Sequence, residues 1–377
     1  MARRTILLLT WAALAAGAAA QTAVTGRVTD AETGAPLPGV HVYVSGTSTG
    51  AVTDRDGAYR IDAVPEGADE LVASFVGYAP GVLPLGVRAV ERATNFRLRP
   101  RPGALGGVTV EADRSAWLGQ LAVFTRGFVG GGVGSRDVRL VNPEVLAFDQ
   151  APGGALVART EAPLVVENRA LGYRVVYDLT EYQSLGDAVD FRGYARFEAL
   201  GARDDAERAR WAAARRRAYA GSFAHFVHTL AADGLGESAF RVYRTNERHR
   251  LPPAQAAGGA RLDRVRRASD VLRPLGPGLA ALSADPALYL RVDYTDETED
   301  RAYLAAVTQN YDPRAGRRRP DDQVSWVETP DGVARVDLVA GQLAGGRGAR
   351  LSVSGYWAWD ERATRWLPAD YRPDGDL

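Results

Sequence analysis

Between residues 25 and 78 the chain is a succession of short alternating runs divided by turn residues, and that spacing leaves room for little except antiparallel β structure. Residues 24–29 alternate apolar and polar and end at Asp30, after which AETGAPLPG supplies turn formers. Val40, Val42 and Val44 fall on one strand face, with His41 and Tyr43 on the other. Residues 51–53 lead into Asp54-Arg55-Asp56-Gly57, where Asp-Gly is a strong hairpin signal, and residues 59–64 return. Leu71, Ala73 and Phe75 alternate inward, and residues 82–87 and 96–98 complete about seven short strands, the pattern of a β-sandwich.

The spaced residues carry more than a fold class. Gly26-x-Val28-x-Asp30, Gly34-x-Pro36-Leu37-x-Gly39-Val40, Thr53-Asp54-x-Asp56-Gly57-x-Tyr59-x-Ile61, Val64-Pro65-x-Gly67 and Ser74-Phe75-x-Gly77-Tyr78 follow one another in order. Together they resemble the carboxypeptidase-like regulatory domain, a transthyretin-like fold, over residues 22–100. Residues 105–110 look like the short strand that commonly follows that module. The resemblance implies a cell-envelope protein of a Bacteroidota-type bacterium, where such domains stand at the N-terminus of TonB-dependent transporters. A transporter would also need a barrel of amphipathic strands, for which this chain has no room. A metallocarboxypeptidase would need a His-x-x-Glu pair and a third ligand. None of His41, His225, His228 and His249 is followed three residues later by glutamate, so that activity is rejected.

Length and charge narrow the setting. The 377 residues suggest about two domains. The net charge of zero argues against nucleic acid as a partner, because such binding draws on an excess of basic surface. Every one of the 46 basic residues is arginine, yet no arginine cluster accompanies an anion-binding motif, and codon bias accounts for the pattern. Residues 1–20 read as a signal peptide: Arg3 and Arg4, then an apolar stretch, then Ala18-Ala19-Ala20 before Gln21. Export to the periplasm or the outer-membrane surface is the expected location. With no cysteine there is neither a disulfide nor a thiolate site. No later run of apolar residues is long enough for a membrane-spanning helix.

Residues 101–137 read as a linker, with Pro and Gly in RPRPGALGG and a glycine-rich loop in FTRGFVGGGVGSRDV. No Gly-Lys-Ser/Thr follows that loop, so it is not a phosphate cradle. Residues 138–377 form a β-rich α+β domain, with strands expected at 138–141, 155–159, 164–168, 173–179 and 189–200. One long helix is expected over 204–232, capped by Asp204 or Asp205 and ended by Asp233-Gly234. Its buried face would hold Tyr219, Phe223, Phe226, Val227 and Leu230, with Arg215, Arg216 and Arg217 solvated opposite acids such as Glu207. Three sets of residues resemble larger envelope proteins that carry the same regulatory module. They are Trp211-x(3)-Arg215-x(3)-Tyr219-x-Gly221-Ser222-x(2)-His225-Phe226; then Asn168-x(2)-Leu171-Gly172-Tyr173 with Tyr177-Asp178-Leu179; and Gly355-Tyr356-Trp357 with Leu367-Pro368-x-Asp370-Tyr371.

Candidate chemistry is sparse. His225 and His228 lie one helical turn apart and could face one metal ion, but two ligands do not make a zinc site. Ser222 one turn earlier suggests a nucleophile, without the Gly-x-Ser-x-Gly elbow that would expose it. Asp293, Asp296, Glu297, Glu299 and Asp300 crowd together but lack the spacing of a calcium loop, and a solvated turn between strands 288–292 and 303–307 is expected. Asp54 and Asp56 are explained by hairpin-turn chemistry. Trp357, Trp359 and Trp366 could stack on sugar rings from a terminal strand with one aromatic face, although burial is the commoner use of tryptophan. The expectation is a non-enzymatic envelope protein without cofactor or metal, whose partners are envelope proteins or surface glycans. A carbohydrate- or peptide-binding module using Trp357, Trp359, Trp366, His225 and His228 is the alternative, and a hydrolase built on Ser222 and the two histidines a second.

Overall fold

A computed structural model describes residues 22–65, 68, 70–85, 93–101, 114–131, 134–186, 188–246, 262–276, 278–285, 287–310, 320–329, 332–343 and 352–373. The signal-peptide segment 1–20 and the strand expected at 105–110 lie outside the described residues.

The N-terminal sandwich has seven strands: β1 Thr22–Asp30, β2 His41–Val44, β3 Gly50–Val52, β4 Ala58–Val64, β5 Glu70–Ser74, β6 Gly81–Pro84 and β7 Phe96–Leu98. They form two sheets, β4-β1-β7 and β3-β2-β5-β6. Alternation buries Val24, Val28, Tyr59, Ile61, Phe96 and Leu98 from the first sheet against Val42, Val44, Leu71 and Ala73 from the second. Asp54 closes the hairpin as its residue type predicts, its Oδ1 accepting the amides of Asp56 (2.9 Å) and Ala58 (2.8 Å).

The expected linker contains a helix, α1 Arg114–Val129. Its glycines hid the pattern, but Phe124 and Phe128 recur one turn apart and are fully buried. They pack on a sheet ordered β8-β11-β12-β10-β9, with β13 also paired to β12. These strands are β8 Val138–Leu140, β9 Leu146–Gln150, β10 Leu156–Thr160, β11 Leu164–Asn168, β12 Tyr173–Leu185 and β13 Ala188–Ala199; five fall at the expected places, β12 runs beyond its expected end, and β9 is not among those expected. The long helix is two: α2 Asp205–Tyr219 and α3 Phe223–Ala231. Between them Gly221 takes φ +71°, which ends one helix, and the Ser222 side chain caps the next by accepting the His225 amide (3.1 Å).

Two further sheets follow, β15-β14-β18-β19-β22 and β16-β17-β20-β21. They are built from β14 Phe240–Thr245, β15 Asp263–Val265, β16 Leu272–Gly276, β17 Leu279–Leu282, β18 Tyr289–Thr298, β19 Asp322–Glu328, β20 Ala334–Asp337, β21 Gln342–Leu343 and β22 Ser352–Gly355. Phe226, Val227 and Leu230 of α3 join Phe240, Leu290, Val292 and Val336 in their common core. Helix α4 Arg301–Asn310 replaces the strand expected at 303–307, with Tyr303 and Leu304 turned inward one residue apart, a pairing that alternation does not predict. Helix α5 Tyr356–Asp360 replaces the expected aromatic strand. No helix among the described residues is long and apolar enough to cross a membrane.

Candidate functional site

The elbow between α2 and α3 is the point where motifs distant in sequence meet. Asp204 caps α2 by accepting the Glu207 amide (2.7 Å), and Glu207 in turn pairs with Arg203 at 2.8 Å rather than with the arginines downstream. Arg216 and Arg217 are exposed as expected, but Arg215 is half-buried: its Nε donates to the Leu171 carbonyl (2.8 Å) and its guanidinium lies 4.2 Å from the Tyr173 ring centre. Trp211 donates from Nε1 to the Arg169 carbonyl (2.7 Å) and covers Gly172. A Cβ at Gly172 would stand 2.3 Å from the indole, so glycine is required there by contact as well as by φ +73°. Asn168 ties this strand to the C-terminal segment, its Nδ2 donating to the Ala363 and Thr364 carbonyls (both 3.1 Å).

The two histidines are engaged within this elbow. His228 Nε2 lies 2.9 Å from the Val339 carbonyl, which can only accept, so in the neutral ring Nε2 carries the proton and Nδ1 accepts from the Tyr219 hydroxyl (2.8 Å). His225 Nδ1 accepts the Gly221 amide (3.1 Å). Burial pushes both imidazoles below their usual range, His225 further through the neighbouring His228. Neither ring is hydrogen-bonded to Ser222, whose oxygen serves as helix cap, so the triad expectation loses its geometry. With His225 Nδ1 and both nitrogens of His228 engaged, the pair does not converge on a metal, and among the described residues no cluster of three potential ligands forms. The acidic stretch is likewise redistributed: Asp293 lies inside β18 and is bound by Arg291, Nε to Oδ1 at 2.7 Å.

The three tail tryptophans go to three places. Trp357 is buried against Phe223 and Phe226, its Nε1 donating to the Gly221 carbonyl (2.6 Å). Trp359 packs on Tyr303 and Tyr356. Trp366 packs on Phe128, Tyr177 and Phe191 of the first β-rich sheet. The shared aromatic face expected from alternation is absent because α5 turns successive side chains by a helical rather than a strand period.

What the elbow does enclose is a cavity of about 470 Å³, a size suited to a small ligand. Its wall includes His228 and Trp366 from the expected set, and Ser222, Tyr219, Asp360 and Glu361, of which the last two carried no sequence signal. Glu361 accepts the Phe223 amide at the start of α3 (2.5 Å). Burial nevertheless raises its carboxyl to about 7, and the neighbouring Asp360 adds to the rise. Asp360 is held by Arg365, Oδ2 to Nε at 3.0 Å.

A second polar focus joins the sandwich to the rest. Tyr43, on the face of β2 opposite the valines, donates to Asp178 Oδ2 (2.9 Å), and Ser74 of β5 donates to Asp178 Oδ1 (2.8 Å). All three are buried. Burial raises the Asp178 carboxyl against the lowering effect of the two hydroxyls. Around it the Gly46 amide donates to the Ala195 carbonyl (2.8 Å), the Phe197 amide to Thr47 (3.0 Å) and the Ala369 amide to Gly46 (2.7 Å). One sheet of the sandwich is therefore committed to an internal contact.

Comparison with known proteins covers the N-terminal part. Residues 24–110 match the model of the CarboxypepD_reg-like domain. Over 71 residues the chain is 45% identical to TonB-dependent receptor P39 of Formosa agariphila, a stretch that is 19% of this chain and 7% of that protein. Over 67 residues it is 45% identical to TonB-dependent receptor SusC of Bacteroides thetaiotaomicron, covering 18% of this chain and 6% of that one. The matched segment thus spans less than a tenth of the length of these relatives. The domain is regulatory and non-catalytic. The sandwich with which this chain begins its described structure belongs to the CarboxypepD_reg-like domain family.

Proposed function

We propose that this is a non-enzymatic, exported cell-envelope protein whose sandwich domain mediates contact with other envelope components. The observation that carries the reading is the match of residues 24–110 to a regulatory domain shared with TonB-dependent receptors. The signal-peptide pattern of residues 1–20 supports export. Since the β3-β2-β5-β6 sheet is occupied by the Asp178 contact, the outer face of β4-β1-β7 is the surface offered to partners. That face presents exposed Thr25, Arg27 and Arg97, with Arg60 paired to Asp62 beside them, and its arginines are suited to bidentate contacts with carboxylates.

The test is photo-crosslinking in the producing cell from positions 27 and 97, combined with fractionation of the envelope. A discrete adduct from this face, absent when the probe is placed at exposed Val333 far along the chain, is the expected result. A freely soluble protein giving no adduct from either position contradicts the proposal.

A further inference from the structure

The cavity at the α2–α3 elbow has a charge balance that selects its occupant. Asp360 is neutralised by Arg365 at 3.0 Å. His228 is engaged through both ring nitrogens and is pushed toward its neutral form. Glu361 is the acid left over: the Phe223 amide is its one hydrogen-bond partner among the described residues, and it accounts for one carboxylate oxygen. The cavity wall that holds Glu361 also carries aromatic rings. Tyr219 and Tyr371 stand with ring centres 6.1 Å apart, and Trp366 lines the same space. A carboxylate beside aromatic rings is the environment that attracts an organic cation, through charge and through the ring faces together.

We propose that this cavity binds a small organic cation, an ammonium group carried on an apolar body, with Glu361 as its counter-ion. The site is independent of the sandwich face proposed above for envelope contacts. An anion would meet the Glu361 charge, and a neutral ligand would leave that charge unused.

The site also predicts a proton coupling. The charged and titratable groups facing Glu361 are Asp360 and Arg365 on its own segment, Tyr219 and His228 on the two helices, and Tyr371. Arg372, next to Tyr371 in the chain, has its guanidinium turned onto the carbonyls of Ala369 (3.1 Å), Tyr371 (2.7 Å) and Val339. With the Glu361 carboxyl at about 7, a cation must displace its proton below that pH and binds unopposed above it. Affinity therefore rises by about tenfold from pH 6 to pH 8, with release of up to one proton on binding at the acid end.

The experiment is calorimetric titration of the full chain with three probes of similar shape: 2-phenylethylammonium, 3-phenylpropanol and 3-phenylpropionate. The ammonium is expected to bind at least tenfold more tightly than the alcohol at pH 8, and to lose about that factor at pH 6. Glu361→Gln should bring the ammonium down to the level of the alcohol. Ala224→Leu, which fills the cavity without altering a charge, should weaken both. The proposal is overturned if the alcohol or the carboxylate matches the ammonium, if no probe binds at millimolar concentration, or if the ammonium affinity is the same at both pH values. It is equally overturned if Ala224→Leu leaves ammonium binding intact, since the ligand would then sit elsewhere. The probe and pH comparisons use the unaltered protein, so they decide the matter even if a variant fails to fold.

Discussion

Replacing Asp178 by alanine removes the acceptor shared by Tyr43 and Ser74, and the structure allows the loss to be worked out. Two hydrogen bonds to an ionised acceptor are each worth about 1.5–3 kcal/mol. Against this stands the relief of no longer burying a carboxylate, whose raised pKa records that its charged form is disfavoured where it lies. The net expectation is a destabilisation of about 3 kcal/mol, at the lower end for breaking a buried charged contact. Asp178→Asn keeps an acceptor for one hydroxyl, offers a donor to the other and removes the charge, so its loss is at most about 1 kcal/mol. The sign with pH follows from the raised carboxyl. Its favourable contribution is complete below the unfolded value and is lost as pH rises through the folded one, so the Asn variant gains on the parent toward neutrality. Urea denaturation followed by circular dichroism measures both variants, and hydrogen exchange of β2 and β5 amides localises the effect. Alanine and asparagine variants of equal stability, or an alanine variant within about 0.5 kcal/mol of the parent, would refute the assignment of Asp178 as the acceptor that fastens the sandwich.

Three further outcomes are expected. Glu361→Gln should be more stable than the parent at pH 8 by about 2 kcal/mol, because the parent's contribution is lost between about pH 4.5 and its folded value near 7; denaturant midpoints showing the same gap at pH 5 would contradict this. Gly172→Ala should destabilise by about 3 kcal/mol through its φ of +73° and its collision with Trp211, measurable as a lowered urea midpoint with unchanged slope. Trp357→Ala should cost about 3–5 kcal/mol by opening a void between Phe223 and Phe226, while leaving any ligand that occupies the elbow cavity bound in the protein that remains folded; thermal denaturation and the same calorimetry check it.

The motif residues themselves illustrate how far sequence reading reaches. Trp211, Arg215, Gly221 and His225 were visible as a spaced set, as were Asn168, Gly172 and Asp178, and Tyr356 and Trp357. Their spacing gave no hint that they touch one another: Trp211 covers Gly172, Arg215 reaches Leu171, and Trp357 reaches Gly221. Periodicity called for one helix over 204–232 because the apolar positions on either side of the elbow stay nearly in phase. Only the left-handed backbone at Gly221 and the cap at Ser222 divide it. Glu361 carries no local sequence signal for a related reason. An acid in a polar tail is unremarkable until Phe223, distant along the chain, is folded against it.

By itself the sequence determined the seven strands of the sandwich and its family, because those depend on alternation and on turn residues that act over a few positions. It also determined five of the six strands of the first β-rich sheet, missing β9, and both ends of the α2–α3 pair. Tertiary structure decided what the polar groups do. It buried Asp178 under the sandwich, separated the three tryptophans into different cores, tied the histidines into the elbow, and set Glu361 in the wall of a cavity. The reason is physical: local patterns fix backbone conformation, whereas the worth of a charge or a donor depends on which distant groups and how much water surround it.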